Sequence, residues 1–171
     1  MPTFHKLRHA SIMYVYRIER KKYLVDVLSG KGAALCSGNR WNSLHTPMVY
    51  TSQSRSLAVL EILARVNAME LVPSDRLLVE LEIPDRIRIE EIQPGELPPN
   101  WNIFPPGEQT QMLGDAFIRK AKAAVCKVPS SLLEGEFNYL INPMHADSKH
   151  IRCIKDISLN MRRWLTFSSA N

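Results

Sequence analysis

Cysteine is scarce in this chain: Cys36, Cys126 and Cys153 are the only three in 171 residues. An odd number, far apart and without a CxxC pair, excludes a disulfide framework and a cysteine-based zinc site. It fits buried thiols in a reducing compartment. Long apolar runs are missing too. Leu57 to Leu63 is broken by charge far short of the about 18 to 20 residues that span a bilayer. Residues 1–16 show no apolar signal core and no small-residue cleavage site, so the expected location is cytoplasmic. There is no internal repeat and no low-complexity tract. GxGxxG, the P-loop pattern GxxxxGK, HExxH and GxSxG are all absent, which removes the usual nucleotide, zinc-peptidase and serine-hydrolase signatures. The five histidines show no ligand spacing, so no metal site is expected and they read as surface-loop residues.

What is present is an ordinary globular composition, 45% hydrophobic and 23% charged. That argues against a mostly disordered chain. This length suits one domain, able to bury roughly 70% of its unfolded surface without staples. A basic arm over residues 1–12 and a single domain over 13–171 are expected. The net charge of +5 is uneven: residues 1–69 carry +7, residues 70–108 carry −6 and residues 109–171 carry +4. A basic first segment invites an anionic ligand, although charge alone does not say which, and a plain solvated surface explains it equally well.

Met13 to Ile18 alternates and is aromatic-rich, which predicts a strand. Lys21 to Leu28 has apolar residues at nearly helical spacing, ended by Gly30 and Gly32. Met48 to Thr51 predicts a short strand. Ser52 and Ser54 offer cap oxygens for a helix to about Leu71, apolar nearly all round and so expected in the core. Leu77 to Ile83 alternates cleanly up to Pro84, and Arg86 to Glu90 continues the pattern. Residues 93–107 hold five prolines and two glycines and read as a long loop of the kind that often has a function. Thr110 can cap a helix through about Ala121. Ala123 to Val128, Tyr139 to Ile141 and Ile151 to Ile157 read as further strands. Helices and strands intermix without regular βαβ alternation, so the expected class is α+β: one compact domain with mixed or antiparallel sheets and flanking helices.

Several residues carry chemical options. Glu61 shares a helical face with Leu57, Ala58, Ala64, Arg65 and Ala68. Its carboxylate needs a partner on so apolar a helix. That partner is either Arg65, four residues on, or a cation in a cleft. Ser37 to Ser43 joins Arg40, able to fork onto a phosphate, with Trp41, which either stacks on a base or packs under the loop. Tyr50 precedes the Glu61 helix and fits core or site. Ser130 follows a strand end and fits a cleft wall or an ordinary turn. No His–Asp pair supports it as a nucleophile.

The ordered set of segments resembles the RES-domain family, named for an Arg, a Glu and a Ser. The pieces are Tyr16-Arg17, Gly38-Asn39-Arg40-Trp41-Asn42, Pro47-Met48-Val49-Tyr50-Thr51, Leu57-Ala58-Val59-Leu60-Glu61, Val128-Pro129-Ser130, and Asn138-Tyr139-Leu140-Ile141-Asn142-Pro143 with His145. They span residues 13–157. His45 stands where the family often has Gly, Gly38-Asn39 replaces Gly-Gly, and Asn160-Met161-Arg162-Arg163 departs from its C-terminal pattern.

The resemblance implies a fold similar to ADP-ribosyltransferase toxins and a role as the toxin of a RES–Xre toxin–antitoxin pair that consumes NAD. It implies Glu61, Arg40, Tyr50 and Ser130 as catalytic residues. Arg17, Arg40, Trp41, Tyr50, Ser130 and Asn142 would contact NAD, which is substrate, with no metal. The implied partner is an Xre-type helix-turn-helix antitoxin. Neither nucleic acid nor membrane is expected as a partner, and a homodimer is left open. The contrasting expectation is a basic nucleic-acid-binding module without catalysis, motivated by the +7 segment and by Tyr14, Tyr16 and Trp41.

Overall fold

The computed structural model describes residues 12–65 and 75–159. Seven strands form one sheet: β1 (Ile12–Arg20), β2 (Val49–Ser52), β3 (Arg76–Pro84), β4 (Ile89–Glu91), β5 (Val125–Pro129), β6 (Phe137–Ile141) and β7 (Arg152–Leu159). Their order across the sheet is β4-β5-β6-β2-β1-β3-β7. Among the described residues three α-helices accompany it: α1 (Lys31–Ala34), α2 (Arg55–Arg65) and α3 (Glu108–Lys120). The α+β class expected from the sequence is the class that forms. All pairs are antiparallel except β4 with β5. That parallel pair needs a crossover connection, which α3 supplies.

Alternation explains the core. In β3, Leu77, Val79, Leu81 and Ile83 point one way and are all buried. With Val15, Val49, Val125 and Ile141 they form one apolar layer, covered by Val27, Ile87 and Ile151. Each such buried side chain contributes roughly 1.5–3 kcal/mol. On the opposite face, Tyr16, Ser52, Asn138 and Val128 stand in one cross-strand row. Two helices cover that face side by side. α2 packs Ala58 against Ile18 and Leu78, and α3 packs Phe117 and Ile118 against Cys126, Val128 and Leu140. β1 and β2 share one register pair, Tyr16 with Ser52. The sheet therefore opens between them, beneath α2.

Several expectations need correction. Lys21–Asp26 is a 3-10 turn, not an α-helix. Of the two cap candidates, Ser54 caps α2 by accepting from the Leu57 amide at 3.1 Å, while Ser52 belongs to β2. α2 fully buries only Leu57 and Ala58; Val59, Ile62 and Leu63 are partly buried against the Ile18, Leu78 and Leu159 cluster. Residues 66–71 of the expected helix lie outside the described residues, as does the expected arm apart from Ile12, which opens β1. α3 starts at Glu108 after Gly107. Thr110 sits inside it and donates its hydroxyl to the Gly107 carbonyl at 2.9 Å. Only Cys126 is a buried thiol; Cys36 and Cys153 are exposed. His145 is not a plain surface histidine, since its Nδ1 accepts from the Asp147 amide at 3.1 Å and caps the turn Ala146–His150.

Candidate active site

A cleft of about 540 Å³ opens where β1 and β2 part, within the roughly 300–1,000 Å³ typical of ligand sites. α2 forms one wall with Ala58, Glu61, Ile62 and Arg65, one stripe at helical spacing. β2 and β6 contribute Tyr50, Ser52 and Asn138. β1 contributes residues from both of its faces, Tyr16 and Ile18 on one, Arg17 and Glu19 on the other. Among the described residues no group of three His, Cys, Asp or Glu is placed to hold a metal.

Glu61 is the centre of the α2 wall. Its Oε1 accepts from Asn138 Nδ2 at 2.6 Å and from Ser130 Oγ at 3.5 Å. Its Oε2 lies 3.9 Å from Arg65 Nη2. Both expected roles are therefore present in one side chain: the ion pair four residues on, and a position on the cleft. The Arg65 guanidinium also stands 5.5 Å from the Tyr50 ring centroid. A cation thus already sits between a carboxylate and an aromatic face.

Ser130 occupies the end of β5 because the chain turns there. Its hydroxyl accepts from the Leu132 amide at 3.1 Å and the Leu133 amide at 3.4 Å, and its amide donates to Glu136 O at 2.8 Å. Ser130 makes an ordinary turn and does not itself line the cleft, but the turn brings its hydroxyl within 3.5 Å of Glu61. Tyr50 donates to Asn42 Oδ1 at 2.7 Å and accepts from the Trp41 amide at 3.0 Å. Burial above all holds its phenol well above the usual tyrosine range, against the opposing pull of the Trp41 amide and Arg65.

Arg40 is not arranged as an open phosphate clamp. Its guanidinium donates to the carbonyls of Trp101, of Ile103 at 3.0 Å and of Asn102 at 3.4 Å. It ties the long loop after β4 to the loop before β2. Burial lowers its pKa first, with Glu61 acting in the opposite direction. Trp41 and Asn142 also lie away from the cleft. Trp41 is 3% exposed and packs against Trp101 with ring centroids 6.1 Å apart, because the loop needs an apolar anchor on the β5–β6 face. Asn142 is 1% exposed. It donates to Ile118 O at 3.2 Å and accepts from the Met144 amide at 3.0 Å, closing the turn after β6.

Arg17 does line the cleft, donating to Val27 O at 3.0 Å and to Glu19 at 2.6 Å. Burial lowers its pKa, and Glu19 opposes that. Arg17 and Arg76 each bury an Nε without a hydrogen-bond partner among the described residues, and both belong to the cleft. Sequence reasoning missed Asn138, Ser52 and Arg76. The register signal for the first two is that Ser52 at the end of β2 sits directly opposite Asn138, the second residue of β6, which a single sequence does not display.

The two departures in the Arg40 loop have local explanations. His45 adopts φ 69, a left-handed conformation that favours glycine, and its amide donates to Ala34 O at 2.8 Å. Asn39 donates to Ala33 O at 3.0 Å and Cys36 O at 3.2 Å, so it fastens the loop where a second glycine would add nothing. Residues 160–163 lie outside the described residues.

Comparison with known proteins follows the same outline. Residues 14–162 match the family model described as the RES domain. The Prs ADP-ribosylating toxin of Sphingobium sp. (strain YBL2) is 38% identical over 149 residues, covering 86% of this chain and 88% of that protein. Toxin Res of Photorhabdus laumondii is 35% identical over 150 residues, covering 87% of this chain and 94% of that one. A chain of the crystallised M. tuberculosis MbcT–MbcA toxin–antitoxin complex superposes with a TM-score of 0.70 at 19% identity, over 91% of this chain and 90% of that chain. At that identity the structural likeness speaks for the fold.

Proposed function

Because the chain belongs to the RES-domain family, we propose that it is a toxin that consumes NAD by breaking the nicotinamide–ribose bond. The carrying observation is the Glu61 carboxylate on the cleft, with Oε1 held by Asn138 and Ser130 and Oε2 3.9 Å from Arg65, with no hydrogen bond among the described residues. When the bond between nicotinamide N1 and ribose C1′ breaks, its electron pair stays with nicotinamide. Oxocarbenium character then builds on the ribose, as in other glycosidic cleavages. A fixed carboxylate stabilises that charge electrostatically. The acceptor adds to C1′: water or a neutral protein nucleophile gives up a proton as it does so, and phosphate adds through an anionic oxygen.

The cleft suits the rest of NAD. Arg17 and Arg76 line the cleft and supply positive charge for an anionic diphosphate. Tyr50 offers the aromatic face beside Glu61, where Arg65 already rests. Ser130 orients the carboxylate. Arg40 acts by holding the loop at 101–103. The name of the Sphingobium relative favours transfer of ADP-ribose to a protein, and the toxin–antitoxin title of the structural neighbour favours an antitoxin as partner; an Xre-type helix-turn-helix protein is the partner that the family resemblance implies. We place the protein in the cytoplasm, where NAD and such a partner are found. Among the described residues no helix is long and apolar enough to cross a membrane. Of the three aromatics that motivated the nucleic-acid module, Trp41 is buried, Tyr16 lies beside Arg55, 5.4 Å from its ring, and Tyr14 alone is exposed.

The test is nicotinamide release from NAD by purified protein, with water, phosphate and candidate protein acceptors supplied in turn. Glu61→Gln lowers kcat by about 10²–10³-fold, the usual loss when a preorganised charge is removed. Unimpaired release by the variant, or no release by the wild type with any acceptor, overturns the assignment.

A further inference from the structure

Glu61 reaches the cleft from a surface helix, and an unrestrained glutamate there would sample several rotamers. What restrains it comes from the sheet. The shortest contact of its carboxylate is the 2.6 Å hydrogen bond from Asn138 Nδ2. Asn138 is itself held. Ser52 Oγ donates to Asn138 Oδ1 at 2.8 Å, and the β2–β6 register sets the two residues directly opposite each other. An ionised carboxylate only accepts, so the amide must turn its NH₂ to Glu61 and its oxygen to the Ser52 hydroxyl. The strand pairing therefore dictates the amide orientation, and the amide dictates which carboxylate oxygen is engaged.

We propose that Asn138, backed by Ser52, is a positioning residue that fixes Glu61 for attack on the NAD glycosidic bond. This rests on the function proposed above. The chemistry explains why an amide stands there. A lysine or arginine would hold the carboxylate equally well but would cancel the negative charge that the developing ribose cation needs. An apolar residue would leave Oε1 without its strongest donor. A neutral amide fixes Oε1 and leaves the charge intact, so Oε2 is the oxygen turned to the substrate. The cation beside Oε2, Arg65, sits at the end of α2 with a side chain about half exposed (48%), so it can yield to a bound nicotinamide.

Nicotinamide release is measured for wild type, Asn138→Ala, Asn138→Asp and Ser52→Ala at mildly alkaline pH, with thermal melts to verify folding. Asn138→Ala lowers kcat about 10- to 100-fold, the rate equivalent of one hydrogen bond to a charged group, while KM stays within about twofold. Asn138→Asp keeps the shape but faces Glu61 with a second carboxylate, so it is worse than Ala. A space-filling role would give the reverse order. Ser52→Ala removes only the distal bond and costs about 3- to 10-fold, a reading that stands even if the Asn138 variants fold poorly. The inference is overturned by wild-type kcat in Asn138→Ala, by Asp outperforming Ala, by a KM rise with unchanged kcat, or by a silent Ser52→Ala. A wild type that releases no nicotinamide overturns the functional reading itself, and this inference with it; an active wild type with active variants overturns only this inference.

Discussion

The Glu61 centre and the Arg40 loop are both polar clusters beside one cleft, yet their hydrogen bonds are organised in opposite ways. Glu61 is bonded by side chains, Asn138 and Ser130, on one oxygen only. In the loop, side chains bond mainly backbone, the Tyr50–Asn42 bond apart. Arg40 donates to three carbonyls. Asn42 donates to the carbonyls of Ala33, Ser43 and Thr46. Gln111 donates to Ser37 O and Asn39 O. A side chain whose donors are committed to carbonyls holds a shape; a carboxylate with one oxygen fixed and the other facing a half-exposed cation is ready for a ligand. The difference teaches that two residues of one family motif need not share one job. Damage to the loop should appear as lost stability, and damage at Glu61 as lost chemistry.

The hardest blow to the loop is Gly114→Ala. α3 crosses the Trp41 backbone so closely at Gly114 that an added Cβ would run into the Trp41 carbonyl oxygen and crowd Trp41 Cβ. Backbone does not yield cheaply. The expected cost is about 3 kcal/mol, or a melting temperature lower by roughly 6–12 °C for a domain of this size. An unchanged melt would mean that α3 can slide away from the loop and that the loop is not rigid.

Arg40→Gln is the next test, because it separates the two clusters directly. Losing the guanidinium's bonds to residues 101–103 is expected to cost about 2 kcal/mol, a fall of roughly 4–8 °C. Glu61→Gln should leave the melt within about 2 °C while lowering kcat for nicotinamide release by about 10²–10³-fold. The comparison breaks if Arg40→Gln melts like wild type and instead raises KM for NAD, since Arg40 would then be a substrate clamp after all.

Local pattern made much of the fold legible. The β3 alternation and the proline at its end placed that strand, and serine before an apolar run placed α2. Where side-chain spacing and backbone geometry diverge, the reading slipped. Tyr23, Leu24, Val27 and Leu28 are spaced like a helix but lie on and just after a 3-10 turn. Thr110 looks like a cap but spends its hydroxyl on a carbonyl inside α3. Glu61 stands out because a carboxylate is unusual on so apolar a helix, whereas Tyr50, Ser130 and Arg17 acquire a role only through the family resemblance. Asn138 did not stand out, because its meaning lies in a partner 77 residues away. The same distance argument explains Arg40: the carbonyls it grips belong to a proline-rich loop about 60 residues on, and backbone oxygens leave no mark in a sequence.

Alkali offers the mildest probe of the loop. Cys126 packs in the cluster beneath Trp41, and burial, before the nearby Glu90 and Glu91, pushes its thiol up from 9.0 to about 12. The Tyr50 phenol, bonded to the Trp41 amide, is raised for the same first reason. Both groups ionise more easily in the unfolded chain. Their contribution is therefore fully present below the ordinary thiol and phenol values and is lost as pH rises toward the folded ones. Melts should stay level up to about pH 9 and then decline, with the thiol costing about 1 kcal/mol by about pH 10. Cys126→Ala starts from a lower stability, having lost buried volume, but its decline between those values should be shallower. A decline as steep as wild type would show that the thiol is not sealed beneath the loop and that the loop is looser than its hydrogen bonds indicate.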